Sequence, residues 1–131
     1  MGTTWALSQV AAAGELVPSV RSAPRISSLL IKPASAICNL DCTYCFYLDR
    51  EADPYRALPG RRMTAETLER LVDGYLAYSY PNSIFAFQGG EPTLAGLKFF
   101  QRLAELQHQY SRAGQQIGNA LQTNGVLLDS H

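Results

Sequence analysis

Apolar residues never run on in this chain. No stretch approaches the roughly 18 consecutive residues that a membrane-spanning helix needs. Neither sign of charge is in excess, because eleven lysines and arginines balance eleven aspartates and glutamates. That neutrality argues against a nucleic-acid surface or an acidic membrane as the main partner. Internal repeats and low-complexity tracts are absent. No basic segment precedes an apolar core at the start, so a secretory leader is not expected. Cysteine is scarce, and nothing points to a secreted disulfide scaffold. What is there is a chain of 131 residues, 47% hydrophobic and 17% charged, enough for one small globular domain.

The three cysteines all fall within one window, Cys38-Asn-Leu-Asp-Cys42-Thr-Tyr-Cys45. The spacing is C-x3-C-x2-C, and Tyr44, Phe46 and Tyr47 crowd its end. Thiolates are soft anionic ligands, and three close together favour a soft metal or an iron–sulfur cluster. A cluster of four irons wants four ligands. Three cysteines would leave one iron open to a chelating small molecule, which could then take an electron directly. Other readings stand beside this one. A structural zinc site needs a fourth ligand, such as His108 or His131. A disulfide would leave one cysteine unpaired. Three free thiols can also pack as small hydrophobes.

The rest of the chain alternates strand and helix signals. Residues 1–27 read as a flexible extension, with a helical turn or two between Trp5 and Val17. Ser28-Leu-Leu-Ile-Lys-Pro33 fits a short strand buried on both faces of a parallel sheet. The cysteines would then lie beyond its carboxyl end, where ligand sites of α/β folds gather. Asp49 to Arg62 is polar and broken by prolines and a glycine, and reads as a loop. Thr64 can cap a helix in which Leu68, Leu71, Val72, Tyr75 and Leu76 form one stripe. Ser83 to Gln88 is a second strand. A second helix is expected from about Leu94 or Gly96 to Arg112, with Gly114 as its cap. Ile117 to Thr123 is the third strand, and Leu127 to His131 reads as the start of a further element. The order β-loop-α-β-α-β implies a parallel α/β arrangement.

Two further stretches carry chemistry. In Gln88-Gly89-Gly90-Glu91-Pro92 the glycines allow close backbone approach to a ligand, and the carboxylate can hold an ammonium group. An ordinary strand-to-helix turn would show the same residues. Gln122, Thr123 and Asn124 end the third strand at the same mouth and are candidates for substrate or cofactor contacts. The plain alternative is an Asn-Gly turn.

Four stretches together resemble the anaerobic sulfatase-maturating enzymes of the radical S-adenosylmethionine (SAM) superfamily. They are Leu30-Ile-Lys-Pro-Ala-Ser35, Cys38 to Tyr47, Phe87-Gln-Gly-Gly-Glu-Pro-Thr-Leu-Ala-Gly-Leu97 and Leu121-Gln-Thr-Asn-Gly125. The resemblance implies a fold built from the first three βα units of a partial (β/α)6 TIM-like barrel. Residues 28–131 would be an incomplete N-terminal portion of the radical SAM core. It implies a 4Fe–4S cluster on Cys38, Cys42 and Cys45, with SAM on the open iron. Tyr44 would lie against the adenine, Gly89, Gly90, Glu91 and Pro92 near the methionine ammonium, and Tyr47 and Gln88 beside SAM and a peptide. The implied reaction oxidises a cysteine or serine of a sulfatase polypeptide to Cα-formylglycine through a 5′-deoxyadenosyl radical. Its general base is expected beyond the chain end. Reduced flavodoxin or ferredoxin would donate electrons, in the cytoplasm, with no nucleic-acid or membrane partner. The alternatives are another peptide-modifying maturase of the radical SAM/SPASM type, or an inactive truncated fragment.

Overall fold

The computed structural model describes residues 26–47 and 62–129. The expected Trp5–Val17 turn and nearly all of the expected Asp49–Arg62 loop lie outside them. Three strands, β1 (Ser28–Ile31), β2 (Asn82–Phe87) and β3 (Gln116–Leu121), form one parallel sheet in the order β1-β2-β3. Helix α1 (Ala65–Tyr78) joins β1 to β2, and α2 (Leu97–Tyr110) joins β2 to β3.

Helix α1 starts where its sequence says it should. Thr64 is the N-cap, and its hydroxyl accepts from Thr67 N at 3.1 Å. Leu68, Val72, Tyr75 and Leu76 recur at helical spacing and are buried, while Leu71 packs at the margin. Helix α2 starts later than the earliest expected position. Pro92–Ala95 forms a separate 3-10 turn, and Gly96 breaks the run at φ 89° before α2 begins. The helix ends at Ser111, whose N–H bonds Gln107 O at 3.1 Å. Gly114 is therefore not its cap and lies in the turn that follows. Of the expected Leu127–His131 element, residues 126–127 form a turn closed by Leu128 N to Gly125 O at 3.1 Å, and residues 130–131 lie outside the described residues.

The two helices cover one face of the sheet. Ile31, Phe85 and Phe87 point to that face and join Leu68, Val72, Leu76, Leu103 and Leu106 in the core. Tyr75 packs edge-on against Phe85 at 4.9 Å between ring centroids. Gln107 of α2 and Asn119 of β3 exchange two amide hydrogen bonds, at 2.8 and 3.0 Å. The other face differs from the two-sided burial expected for β1. Leu30 is 58% and Ile84 43% exposed there. The alternation of strand side chains explains both results: odd positions of β1 and β2 meet the helices, and even positions have no helix over them among the described residues.

Candidate active site

The site begins with a backbone crossing. After β1 the chain turns through Pro33–Ala36, with Ser35 at φ 55°. The turn lies directly over the end of β2. Gly90 N donates to Ser35 O at 2.9 Å, and Glu91 N donates to Ile37 O at 2.7 Å. A side chain on Gly90 would collide with the Ile37 carbonyl. One on Gly89 would meet the Ser35 carbonyl, and Gly89 adopts φ 129° besides. The glycines thus admit a close approach, and the approaching chain is the segment that carries Cys38.

Beyond that crossing the three strand ends surround a cavity of about 340 Å³. Cys38, Cys42 and Cys45 line it, with Tyr44 and Tyr47 beside them, Gly89 and Gly90 at the end of β2, and Gln122, Thr123 and Asn124 at the end of β3. Leu40 and Phe46 also line the cavity, although neither stood out in the sequence as a candidate contact. Their signal was only their place inside and just after the cysteine window. All three cysteines are free and half-buried. Tyr44 is 89% exposed, and hydrogen bonding to Cys42 together with the negative charge there raises its phenol above 10.0.

Three of the expected contact residues stand outside this cavity. Glu91 is fully buried. Its Oε1 accepts from Thr93 N at 2.9 Å, Thr93 Oγ1 at 2.6 Å and Thr123 Oγ1 at 2.8 Å, and its Oε2 accepts from Asn124 N at 2.8 Å. Burial by itself raises the Glu91 carboxyl. The hydrogen bonds from Thr93, Asn124 and Thr123 outweigh it, so the group titrates below the ordinary value of 4.5. Pro92 is buried beside it. Gln88 lies in an adjoining groove on the open sheet face, with Leu30, Ala86 and Ala120. Gln122 lines both the groove and the cavity. Tyr47 packs on Phe46 with ring centroids 4.2 Å apart, and Lys32 Nζ sits 5.3 Å from its ring centre. The Tyr47 hydroxyl is buried and has no hydrogen-bond partner among the described residues.

The donor set bears on what the cysteines can hold. Among the described residues, no group of three or more His, Cys, Asp or Glu side chains is arranged to hold a metal ion. One zinc needs all its sulfurs about 2.3 Å from a single centre. An iron–sulfur cube takes each cysteine on a different iron and so accepts a wider spread. The three free thiols line one cavity, and cysteine thiolates are the ligand type such clusters take.

The family model described as the radical SAM superfamily matches residues 33–131. The chain belongs to the radical SAM superfamily. Within it, the chain is 51% identical over 102 residues to the cysteine-type anaerobic sulfatase-maturating enzyme of Clostridium perfringens. That match covers 78% of this chain and 27% of the relative. It is 41% identical over 101 residues to the serine-type anaerobic sulfatase-maturating enzyme of Bacteroides thetaiotaomicron, covering 76% of this chain and 24% of the relative. Among solved structures, native anSMEcpe with bound AdoMet superposes with a TM-score of 0.69 at 51% identity, over 78% of this chain and 27% of that one. The same enzyme with AdoMet and the Cp18Cys peptide gives 0.66 at 50% identity, over 78% of this chain and 26% of that one. The chain thus spans about a quarter of the length of the curated relatives it matches. The three parallel strands and two helices match part of a radical SAM fold.

No helix among the described residues is long and apolar enough to cross a membrane.

Proposed function

We propose that residues 28–131 are the N-terminal portion of the radical SAM core of an anaerobic sulfatase-maturating enzyme. Cys38, Cys42 and Cys45 would hold a 4Fe–4S cluster, and S-adenosylmethionine would occupy the cavity. When bound, the cluster supplies the one-electron reduction that splits S-adenosylmethionine. The chain's own residues then do four things. The Ser35–Ile37 turn, bonded to Gly90 and Glu91, fixes the cysteine loop over the end of β2. Tyr44, exposed on that loop, offers an aromatic face to adenine. Gly89 and Gly90, packed under that turn, also line the cavity and would border the methionine end. Gln122 lines both groove and cavity, Gln88 the groove and Tyr47 the cavity, and all three would meet a sulfatase peptide.

The substrate would be a cysteine or serine of a sulfatase polypeptide, oxidised to Cα-formylglycine. A reduced flavodoxin or ferredoxin would supply electrons in the cytoplasm. The observation that carries the reading is the convergence of three free cysteines, Gly89-Gly90 and Gln122–Asn124 on one cavity at the carboxyl ends of parallel strands. The relatives' names give the substrate class. A reductant-driven anaerobic assay tests it, following 5′-deoxyadenosine and the mass of a sulfatase-derived peptide together. Both should change in the protein that carries this chain. Deoxyadenosine formation with the peptide unaltered would move the reading to a maturase with another target.

A further inference from the structure

Asn124 commits its backbone N–H and both ends of its side-chain amide to the protein. Its backbone N–H donates to Glu91 Oε2 at 2.8 Å. Its Oδ1 accepts from Val126 N at 3.0 Å. Because Val126 N–H is a donor, the atom facing it must be the oxygen, and this fixes which way the amide is turned. The Nδ2 group therefore faces the cysteine loop. It donates to Asn39 Oδ1 at 2.8 Å and stands 3.7 Å from Cys38 Sγ. The same sulfur receives Leu40 N–H at 3.4 Å.

We infer that Asn124 is a positioning residue for the Cys38 sulfur, held by Glu91, rather than a contact for substrate. The connection runs through all three strand ends. Glu91 follows β2 and grips Thr123 and Asn124 after β3. Asn124 then reaches back to Cys38 and Asn39, on the loop after β1. The buried carboxylate holds the Asn124 backbone, Val126 N–H turns the side-chain amide, and that amide faces the sulfur. An N–H aimed at a cluster sulfur also stabilises the extra negative charge of the reduced state, which raises the reduction potential. Asn124 would thus set both where Cys38 stands and how strongly the cluster reduces. The inference rests on the reading of Cys38 as a cluster ligand.

Two substitutions test it in the full chain, reconstituted anaerobically with iron and sulfide. Asn124→Asp keeps the acceptor for Val126 and the backbone N–H to Glu91, and removes the donor. Asn124→Leu removes the donor without adding a charge. Iron and sulfide content is measured first, then the midpoint potential by redox titration followed by electron paramagnetic resonance. Both variants should shift the potential to more negative values, or lose cluster while keeping the wild-type thermal midpoint. Equal potentials and equal cluster content in wild type and both variants overturn the inference, and so does a shift in the Asp variant alone, which would report only its charge. If Asn124→Leu does not fold, Asn124→Asp is compared with Asn39→Asp, which brings a carboxylate to the same loop but keeps Asn124. A shift no larger in Asn124→Asp than in Asn39→Asp overturns the inference. A wild-type chain that takes up no iron and sulfide overturns the cluster reading and this inference together, whereas a wild-type cluster indifferent to Asn124 overturns this one alone.

Discussion

Glu91 shows how much a side chain's surroundings add to its identity. As a carboxylate beside two glycines it read as a partner for a ligand ammonium; in the structure it is fully buried under four hydrogen bonds, two of which tie the ends of β2 and β3. Sequence could place Glu91 at the mouth of the strands. It could not show that Thr93, Thr123 and the Asn124 backbone would saturate it, because two of those donors lie some thirty residues away. Replacing Glu91 by Gln puts an NH2 group among donors. We expect it to cost about 1–3 kcal/mol in urea denaturation. The pH dependence has a definite sign. The folded carboxyl titrates below 4.5, so its contribution is complete above the unfolded value and is lost as pH falls through the lower, folded value. The stability of Glu91→Gln should therefore fall less steeply than wild type between pH 5 and pH 3, to order of magnitude. Parallel curves would show that Glu91 does not carry this linkage.

At the scale of elements, the glycines and the phenylalanines make separate predictions. Gly90 has no space for a methyl group under the Ile37 carbonyl. Gly90→Ala should cost about 1–3 kcal/mol by overpacking, and should also lower iron uptake, because the segment it displaces leads into Cys38. Phe85 is fully buried between α1 and the sheet. Phe85→Ala should cost about 3–5 kcal/mol, read from the thermal or urea midpoint, with unfolding rather than selective cluster loss. Iron uptake at wild-type level in a folded Gly90→Ala protein would contradict the role given to the crossing. Most of these elements were legible in sequence. Thr64 with the Leu68–Leu76 stripe defined α1 by its cap and its period, and apolar runs defined β1 and β2. Two features were not legible. The Pro92–Ala95 turn absorbed residues whose composition suited the next helix, and only the φ 89° of Gly96 separates them. The open face of the sheet was hidden because Leu29, Leu30 and Ile31 are all apolar, and apolarity alone does not say which will meet a helix.

At the scale of the whole molecule, the candidate site is built by three strand ends more than by any one motif. Cysteine spacing announced the loop, but the cavity exists because the crossing over Gly90 and the contacts of Asn124 bring the ends of β1, β2 and β3 to one place. The open sheet face has a consequence here. Leu30 and Ile84 expose apolar surface side by side with the parallel edge of β3. The isolated 131-residue chain should self-associate in size-exclusion chromatography, and Leu30→Lys with Ile84→Lys should reduce that association. A wild-type chain that elutes as a monomer at every concentration would contradict it. Cys38, Cys42 and Cys45 are proposed to hold a cluster with one iron free for S-adenosylmethionine. The most direct measurement is iron and sulfide analysis of the anaerobically reconstituted chain, with electron paramagnetic resonance of the reduced protein before and after S-adenosylmethionine is added. About four irons and four sulfides per chain are expected, all lost when the three cysteines are changed to alanine, with a spectrum that changes on adding S-adenosylmethionine. A triple-alanine protein that keeps the same iron and sulfide, or a wild-type chain that binds one zinc and no cluster, would contradict the proposal.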